Sequence, residues 1–308
     1  MRPGASCGHL GRVEVRTSLN AKEHAVESTF TLTLWCPERA GIVHAVTSFL
    51  LERGSDIVEH QQFDDHLSGS FFLRTSFTCS RPETSLDDLS RDFSVIARDF
   101  AMEFQLSDDR QRRLLIMVSK FGHCLNDLLF RWRAGSLGAD IAVVVSNHQD
   151  LRPMVEAAGL PFVHIPVTPE TKPEAEGQLL RLVDEHQVDL VVLARYMQVL
   201  SNDLCVKLEG RAINIHHSLL PGFKGAKPYH QAYARGVKYV GATAHYVTPD
   251  LDEGPIIEQE VLRVDHAQGP QDLVTIGRDA EALALSRAVR WHCEHRVMLN
   301  DNRTIVFR

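Results

Sequence analysis

No excess of basic residues, no long apolar run and no paired-cysteine spacing occurs in this 308-residue chain. The formal net charge of -7 removes any electrostatic ground for nucleic-acid binding. No stretch approaches the ~20 apolar residues that a bilayer-spanning helix needs. The six cysteines (Cys7, Cys36, Cys79, Cys124, Cys205, Cys293) show neither CxxC spacing nor grouping. That pattern argues against a disulfide framework and predicts reduced, mostly buried thiols in a cytoplasmic protein. HExxH is absent too, so the sixteen histidines, His216-His217 and His292-x-x-His295 included, offer no recognised metal spacing. Neither a metal nor another cofactor is expected. Residues 1–28 carry Arg2, Arg12 and Arg16 but also Glu14, Glu23 and Glu27, without an apolar h-region. They are read as a disordered leader and not as a secretory signal.

What is present is ordinary for a soluble globular protein, with 44% hydrophobic and 24% charged residues in a length suited to two domains. Phe30 to Trp35 alternates as a half-buried strand, and Ile42, Val43, Val46, Phe49 and Leu50 form a helical stripe that Gly54 stops. Ile57 to Phe63 and Ser70 to Cys79 read as strands, Leu86 to Phe100 as a second amphipathic helix, and Glu103 to Leu106 as a short closing strand. The order β-α-β-β-α-β is the ferredoxin-like split βαβ. The first turn, Cys36-Pro37-Glu38-Arg39-Ala40-Gly41, followed by Gly54-Ser55-Asp56-Ile57, resembles an ACT domain over residues 29–108. That resemblance implies a module that pairs between subunits in a homo-oligomer, with Glu38, Arg39, Ala40 and Gly41 placed to take an amino-acid effector.

Ser107 to Arg113 is polar and charged and reads as a linker into a second domain at 109–308. Leu114 to Val118 is a continuous apolar run, as a central parallel strand requires. Further strands are expected at Ile141 to Val145, Phe162 to Ile165 and Val188 to Leu193, with Glu174 to Glu185 helical. Asp272 to Arg296 reads as a long closing helix, with Leu285, Val289 and Trp291 in its core face. The fold class is therefore α/β, a Rossmann-like and largely parallel sheet whose ligands bind at strand C-terminal ends.

Chemistry concentrates in Ile213 to Gly254. Asn214 and His216 lie two apart on a predicted strand and share one face, while Ile215 takes the other. An amide donor beside an imidazole at a strand end suits a carbonyl that must become an oxyanion. The acidic turn Asp250-Leu251-Asp252-Glu253-Gly254 can return a carboxylate to that imidazole.

Asn214-x-His216, Ser218-Leu219-Leu220-Pro221, Gly225 and then Asp252 with Gly254 resemble the signature of the folate-dependent formyltransferase fold. The match implies that Asn214, His216 and Asp252 form the catalytic trio. The transferases carry proline after the histidine; His217 stands there instead, and with Leu219-Leu220-Pro221-Gly222-Phe223-Lys224 the motif resembles the branch that hydrolyses the formyl group, the formyltetrahydrofolate deformylases. The turn Ser119-Lys120-Phe121-Gly122-His123-Cys124 agrees. The matching turn of the glycinamide ribonucleotide transferases is glycine-rich and cradles a phosphate. Bulky side chains here hinder such a cradle.

The resemblance also places Met197, Val199 and Leu200 in an apolar pterin slot, with Thr248 and Asp250 in the opposite loop and His217, Lys120 and His123 as site neighbours. It implies hydrolysis of 10-formyltetrahydrofolate to formate and tetrahydrofolate, feeding purine synthesis and balancing one-carbon folate pools. The competing readings are formyl transfer to an amine acceptor and a catalytically silent folate or amino-acid sensor.

Overall fold

The computed structural model describes residues 28–80, 84–223 and 228–308. The leader expected at residues 1–28 lies almost wholly outside the described residues, as does the Gly225 of the signature.

The N-terminal part contains β1 (Ser28–Pro37), α1 (Ile42–Glu52), β2 (Ser55–Asp65), β3 (Ser70–Cys79), α2 (Leu86–Phe100) and β4 (Glu103–Asp108). The strands form one antiparallel sheet in the order β2-β3-β1-β4, the ferredoxin-like arrangement that the sequence predicts. Alternation along β1 sends Phe30, Leu32 and Leu34 onto a core with Val46, Phe49, Phe77, Leu89 and Phe93. Ser85 caps α2 by accepting from the Asp88 amide, and Asp87 and Asp88 suit the positive end of that helix.

The second part begins with β5 (Arg112–Val118), α3 (His123–Arg133), β6 (Ala139–Ser146), α4 (Arg152–Glu156), β7 (Phe162–His164), α5 (Lys172–Glu185) and β8 (Leu190–Leu193). It continues through α6 (Asn202–Lys207), β9 (Ala212–His216), α7 (Pro228–Ala234), β10 (Tyr239–Tyr246), β11 (Ile256–Arg263) and α8 (Pro270–Cys293). The seven-stranded sheet runs β11-β10-β9-β8-β5-β6-β7. The pairs from β7 to β9 are parallel, and β10 and β11 are antiparallel additions.

β5 is apolar on both sides because both sides are covered. Leu114, Ile116 and Val118 pack toward α3 and α8, while Leu115 and Met117 pack toward α5 and α6. The chain order reverses between β5 and β8, so the crevice beyond the C-terminal ends of β5, β8 and β9 is the expected place for a ligand.

Two sequence expectations change. Ser107 to Arg113 is mostly not a linker, because β4 runs to Asp108 and β5 starts at Arg112. Its polarity has a different cause. Arg112 donates to the Asp108 carbonyl and meets His295 Nε2 at 2.8 Å, while the Arg113 amide donates to Asp189 at 2.8 Å. The closing helix also ends earlier, at Cys293, and a hairpin of β12 (Val297–Asn300) and β13 (Arg303–Val306) follows.

That hairpin region docks on the N-terminal sheet. Glu59 of β2 accepts from Arg74 and Arg296, and Arg74 also donates to the carbonyls of Glu294 and His295. Asp65 accepts from Asn300 and Arg303. Among the described residues no helix is long and apolar enough to cross a membrane.

Candidate active site

β9 delivers Asn214 and His216 to the crevice at its C-terminal end, while Ile213 and Ile215 join the core beneath. The returning loop after β10 brings Asp252 to within 3.2 Å of His216, Oδ1 to Nδ1. Two backbone features make that approach. Asp252 occupies the left-handed region at φ 59, uncommon for a residue with a side chain. Gly254 presses against β10, where a Cβ would stand 1.8 Å from the Tyr246 carbonyl oxygen, so only glycine fits. The hydrogen bond with His216 is the largest influence on the Asp252 carboxyl and, despite opposing burial, holds it below the usual carboxylate range. Asp252 is therefore ionised at neutral pH. Since Nδ1 of His216 faces Asp252, its other ring nitrogen, Nε2, is left for substrate; it is buried without a hydrogen-bond partner among the described residues.

One residue of the site escaped the sequence reading. β9 and β10 pair in a register that sets His245 directly opposite Asn214. His245 Nδ1 donates to the Tyr246 carbonyl at 2.9 Å, leaving Nε2 to accept from Asn214 Nδ2 at 3.2 Å. Burial lowers the His245 pKa, so the ring stays neutral and keeps that acceptor. The Asn214 amide is thus turned and fixed, with its second N–H free for a developing negative charge. A β-bulge between Ala244 and His245 in the pairing with β11 re-aims this part of the strand.

The Ser218-Leu219-Leu220-Pro221 motif is structural support. Thr243 donates to the Ser218 carbonyl and accepts from the Leu220 amide and from Gln259, which also donates to the Leu220 carbonyl. Ser218 itself donates to the Gly222 carbonyl at 2.8 Å. The loop leaving His216 is thereby tied to β10 and β11.

A cavity of about 240 Å³ opens over these groups. Asn214, His216, His217, His245 and Asp252 line its polar end. Met197, Val199, Leu200 and Thr248 line the rest, joined by Tyr196 and Val247. Met197 and Val199 are more than half exposed, as apolar walls of a ligand slot would be.

Three expected neighbours fall elsewhere. Asp250 does not line the cavity, and its carbonyl accepts from Thr248 Oγ1. Lys120 is exposed outside it. His123 turns away to bond Glu281 at 2.8 Å. His217 does line the cavity; burial, with Arg195 next, lowers its pKa to about 4, so it is neutral.

His123, Cys124 and Glu281 offer donor atoms within 4.8 Å of one another, the geometry of a cation site. Their chemistry does not suit one. Burial raises the Cys124 thiol far above its ordinary range, and the Arg195 guanidinium already stands 3.2 Å from Glu281.

At the N-terminal turn, Gly41 precedes α1 with φ 95 and the Glu38 amide donates to the Gly69 carbonyl. Arg39 donates to the Asp99 carbonyl and stacks on Phe100, and Ala40 is exposed beside it.

Residues 112–289 match the formyl transferase family. A formyltetrahydrofolate deformylase from Corynebacterium sp. (strain P-1) is 58% identical over 90% of this chain and 97% of its own length. The chain belongs to the formyltetrahydrofolate deformylase family, a family of hydrolases. The crystal structure of a deformylase from Pseudomonas syringae pv. tomato superposes with a TM-score of 0.89 at 47% identity, covering 93% of this chain and 96% of that one. A glycinamide ribonucleotide transformylase from Symbiobacterium toebii shares 30% identity and a TM-score of 0.60 over 64% of this chain and 95% of its own.

Proposed function

We propose that the chain hydrolyses 10-formyltetrahydrofolate to formate and tetrahydrofolate, with Asn214, His216 and Asp252 as catalytic residues. The observation that carries this reading is the convergence of an oriented amide, an imidazole nitrogen and an ionised carboxylate at one end of an apolar-walled cavity. The pterin would lie between Met197, Val199 and Leu200 on one side and Val247 and Thr248 on the other, bringing N10 and its formyl group to Asn214.

Water attacks the formyl carbon. The oxyanion that forms takes one hydrogen bond from Asn214 Nδ2 and one from protonated His216 Nε2. Losing one such donor typically costs ~10²–10³ in turnover. Asp252 stabilises the charged imidazole, positions the water and shares in carrying its proton to N10 as the C–N10 bond breaks. No step calls for a protein nucleophile. The formate released would supply purine synthesis and relieve the pool of formylated folate.

In the same reading the N-terminal sheet pairs subunits and takes an amino acid at Glu38 to Gly41. Its β2 edge exposes Ile57, Val58 and Phe63. Incubating purified protein with 10-formyltetrahydrofolate and no acceptor amine should release formate and tetrahydrofolate in equal amounts. An absence of formate overturns the reading.

A further inference from the structure

Beside the trio lies a buried ionic cluster that the hydrolysis itself does not use. Its centre is Glu281 of α8, whose side chain is only 2% exposed. His123 Nε2 meets one carboxylate oxygen at 2.8 Å, and Tyr229 Oη donates to the other at 3.1 Å. Arg195, 10% exposed, brings Nε to 3.2 Å from Glu281 Oε2 yet leaves that nitrogen without a hydrogen-bond partner among the described residues. The Phe121 ring faces Arg195, 5.7 Å from its guanidinium carbon. Burial would raise the Glu281 carboxyl, but the His123 hydrogen bond and the Arg195 and His123 charges more than offset it, so Glu281 is anionic.

Arg195 is the member of this cluster that lines the catalytic cavity. It lies two residues past the end of β8 and adopts φ 66, a left-handed conformation that costs a side-chain-bearing residue energy. The cluster reaches the trio through rings: Tyr229 packs 6.3 Å from His217, and His217 packs 5.2 Å from His216. A fixed cation thus borders the cavity that holds the trio, with the Glu281 anion buried behind it against the start of α3.

We propose that Arg195, locked on the buried Glu281–His123 pair, closes the acceptor side of the cavity to amines and so reserves the formyl group for water. The proposal rests on the hydrolytic reading above and adds the determinant of acceptor choice. Amines arrive largely as ammonium ions near neutral pH, and a desolvated guanidinium repels them. Water carries no charge and is not repelled. In hydrolysis the water oxygen bonds to the formyl carbon, the C–N10 bond breaks, one water proton goes to N10, the other is released to solvent, and formate leaves as the anion. In the excluded reaction an amine nitrogen takes the oxygen's place, gives its proton to N10 and leaves as an N-formyl amide. Neither route needs an oxidant or reductant.

The test is the ratio of N-formylglycinamide to formate when 10-formyltetrahydrofolate is consumed in the presence of glycinamide, read by mass spectrometry. Wild type should give formate with at most a trace of N-formylglycinamide. Arg195→Gly removes the charge and suits φ 66; Arg195→Asn, which the left-handed backbone also accepts, repeats the test in a second background. Each should raise the ratio by about tenfold or more, the effect of removing one buried like charge from the path of an ammonium group. Arg195→Lys keeps the charge and should keep the wild-type ratio. Glu281→Gln frees Arg195 from its anchor and should give an intermediate ratio. A ratio that stays at the wild-type level in both neutral variants overturns the proposal. Failure of wild type to release formate would instead overturn the hydrolytic reading, so the two are distinguished.

Discussion

Replacing Gly277 with alanine should destabilise the protein, against the usual preference of helix interiors. Gly277 lies within α8, where exchanging glycine for alanine ordinarily gains ~0.5–1 kcal/mol. A Cβ there would stand 2.0 Å from Tyr229 Cζ, 2.2 Å from Oη and 2.5 Å from Cε1. The ring has nowhere to retreat, being 5% exposed and hydrogen-bonded to Glu281. Overpacking of this kind costs about 1–3 kcal/mol, and displacing the hydroxyl from a charged carboxylate about 1.5–3 more. Set against the helix-propensity gain, a net loss on the order of 2–5 kcal/mol is expected, read as a lower urea midpoint by circular dichroism.

The decisive comparison adds Tyr229→Ala. In that background the obstruction is gone, and Gly277→Ala should become neutral or stabilising, a coupling that changes sign between the two backgrounds. Should Gly277→Ala raise the midpoint while Tyr229 is present, the packing of α7 on α8 described above is wrong.

Other expectations follow from the site and from the buried histidines. Asn214→Ala or His216→Ala should lower kcat far more than it raises KM, because both groups are assigned to charge that develops in the transition state; turnover within a few-fold of wild type would refute this. Asp252→Asn should nearly abolish formate release and alter the pH–rate profile, whereas Asp250→Asn, outside the cavity, should cost much less; the reverse order of severity would remove Asp252 from the chemistry. Burial, with Arg112 next, lowers His292 and His295 to about 4, and burial likewise lowers His217 to about 4. The unfolded chain therefore binds protons that the folded one refuses, and stability should fall as pH drops from ~6.5 toward 4, by up to about 3 kcal/mol per ring. The depressed carboxyls of Asp252 and Glu281 act lower, their contribution being present above the ordinary carboxylate range and lost as pH falls through their folded values. His292→Asn should flatten the loss between pH 6.5 and 5 in urea titrations, and an unchanged slope would count against the assignment.

Asn214 and His216 were legible as a pair from the two-residue period of a strand, and the acidic turn as a source of a carboxylate; that Asp252 and not Asp250 supplies it came only from the family resemblance. His245 obeys no local rule. Its partnership with Asn214 depends on the register of β10 against β9, across 31 residues, and no motif reports register. Glu281 was hidden for a similar reason, since it meets His123 across 158 residues from inside a helix that looks like core. Of the polar run at Ser107 to Arg113, hydrophobicity alone predicts a linker, whereas Arg110 pairs with Asp189 and Arg112 hydrogen-bonds His295. The ferredoxin-like order and the doubly covered β5 were visible because alternation and apolar runs are direct consequences of which faces are buried.

α8 has a mechanical meaning beyond its packing. Near its middle it carries Glu281, and the carbonyls of Glu294 and His295 just past its end hold Arg74 of the N-terminal sheet. Thirteen residues of helix separate Glu281 from Glu294, about 20 Å at 1.5 Å per residue. A hydrogen-bonded helix scarcely shortens under load, so it behaves as a push-rod. Any slide of the N-terminal sheet along that axis would carry Glu281 with it, and with Glu281 the guanidinium that borders the catalytic cavity.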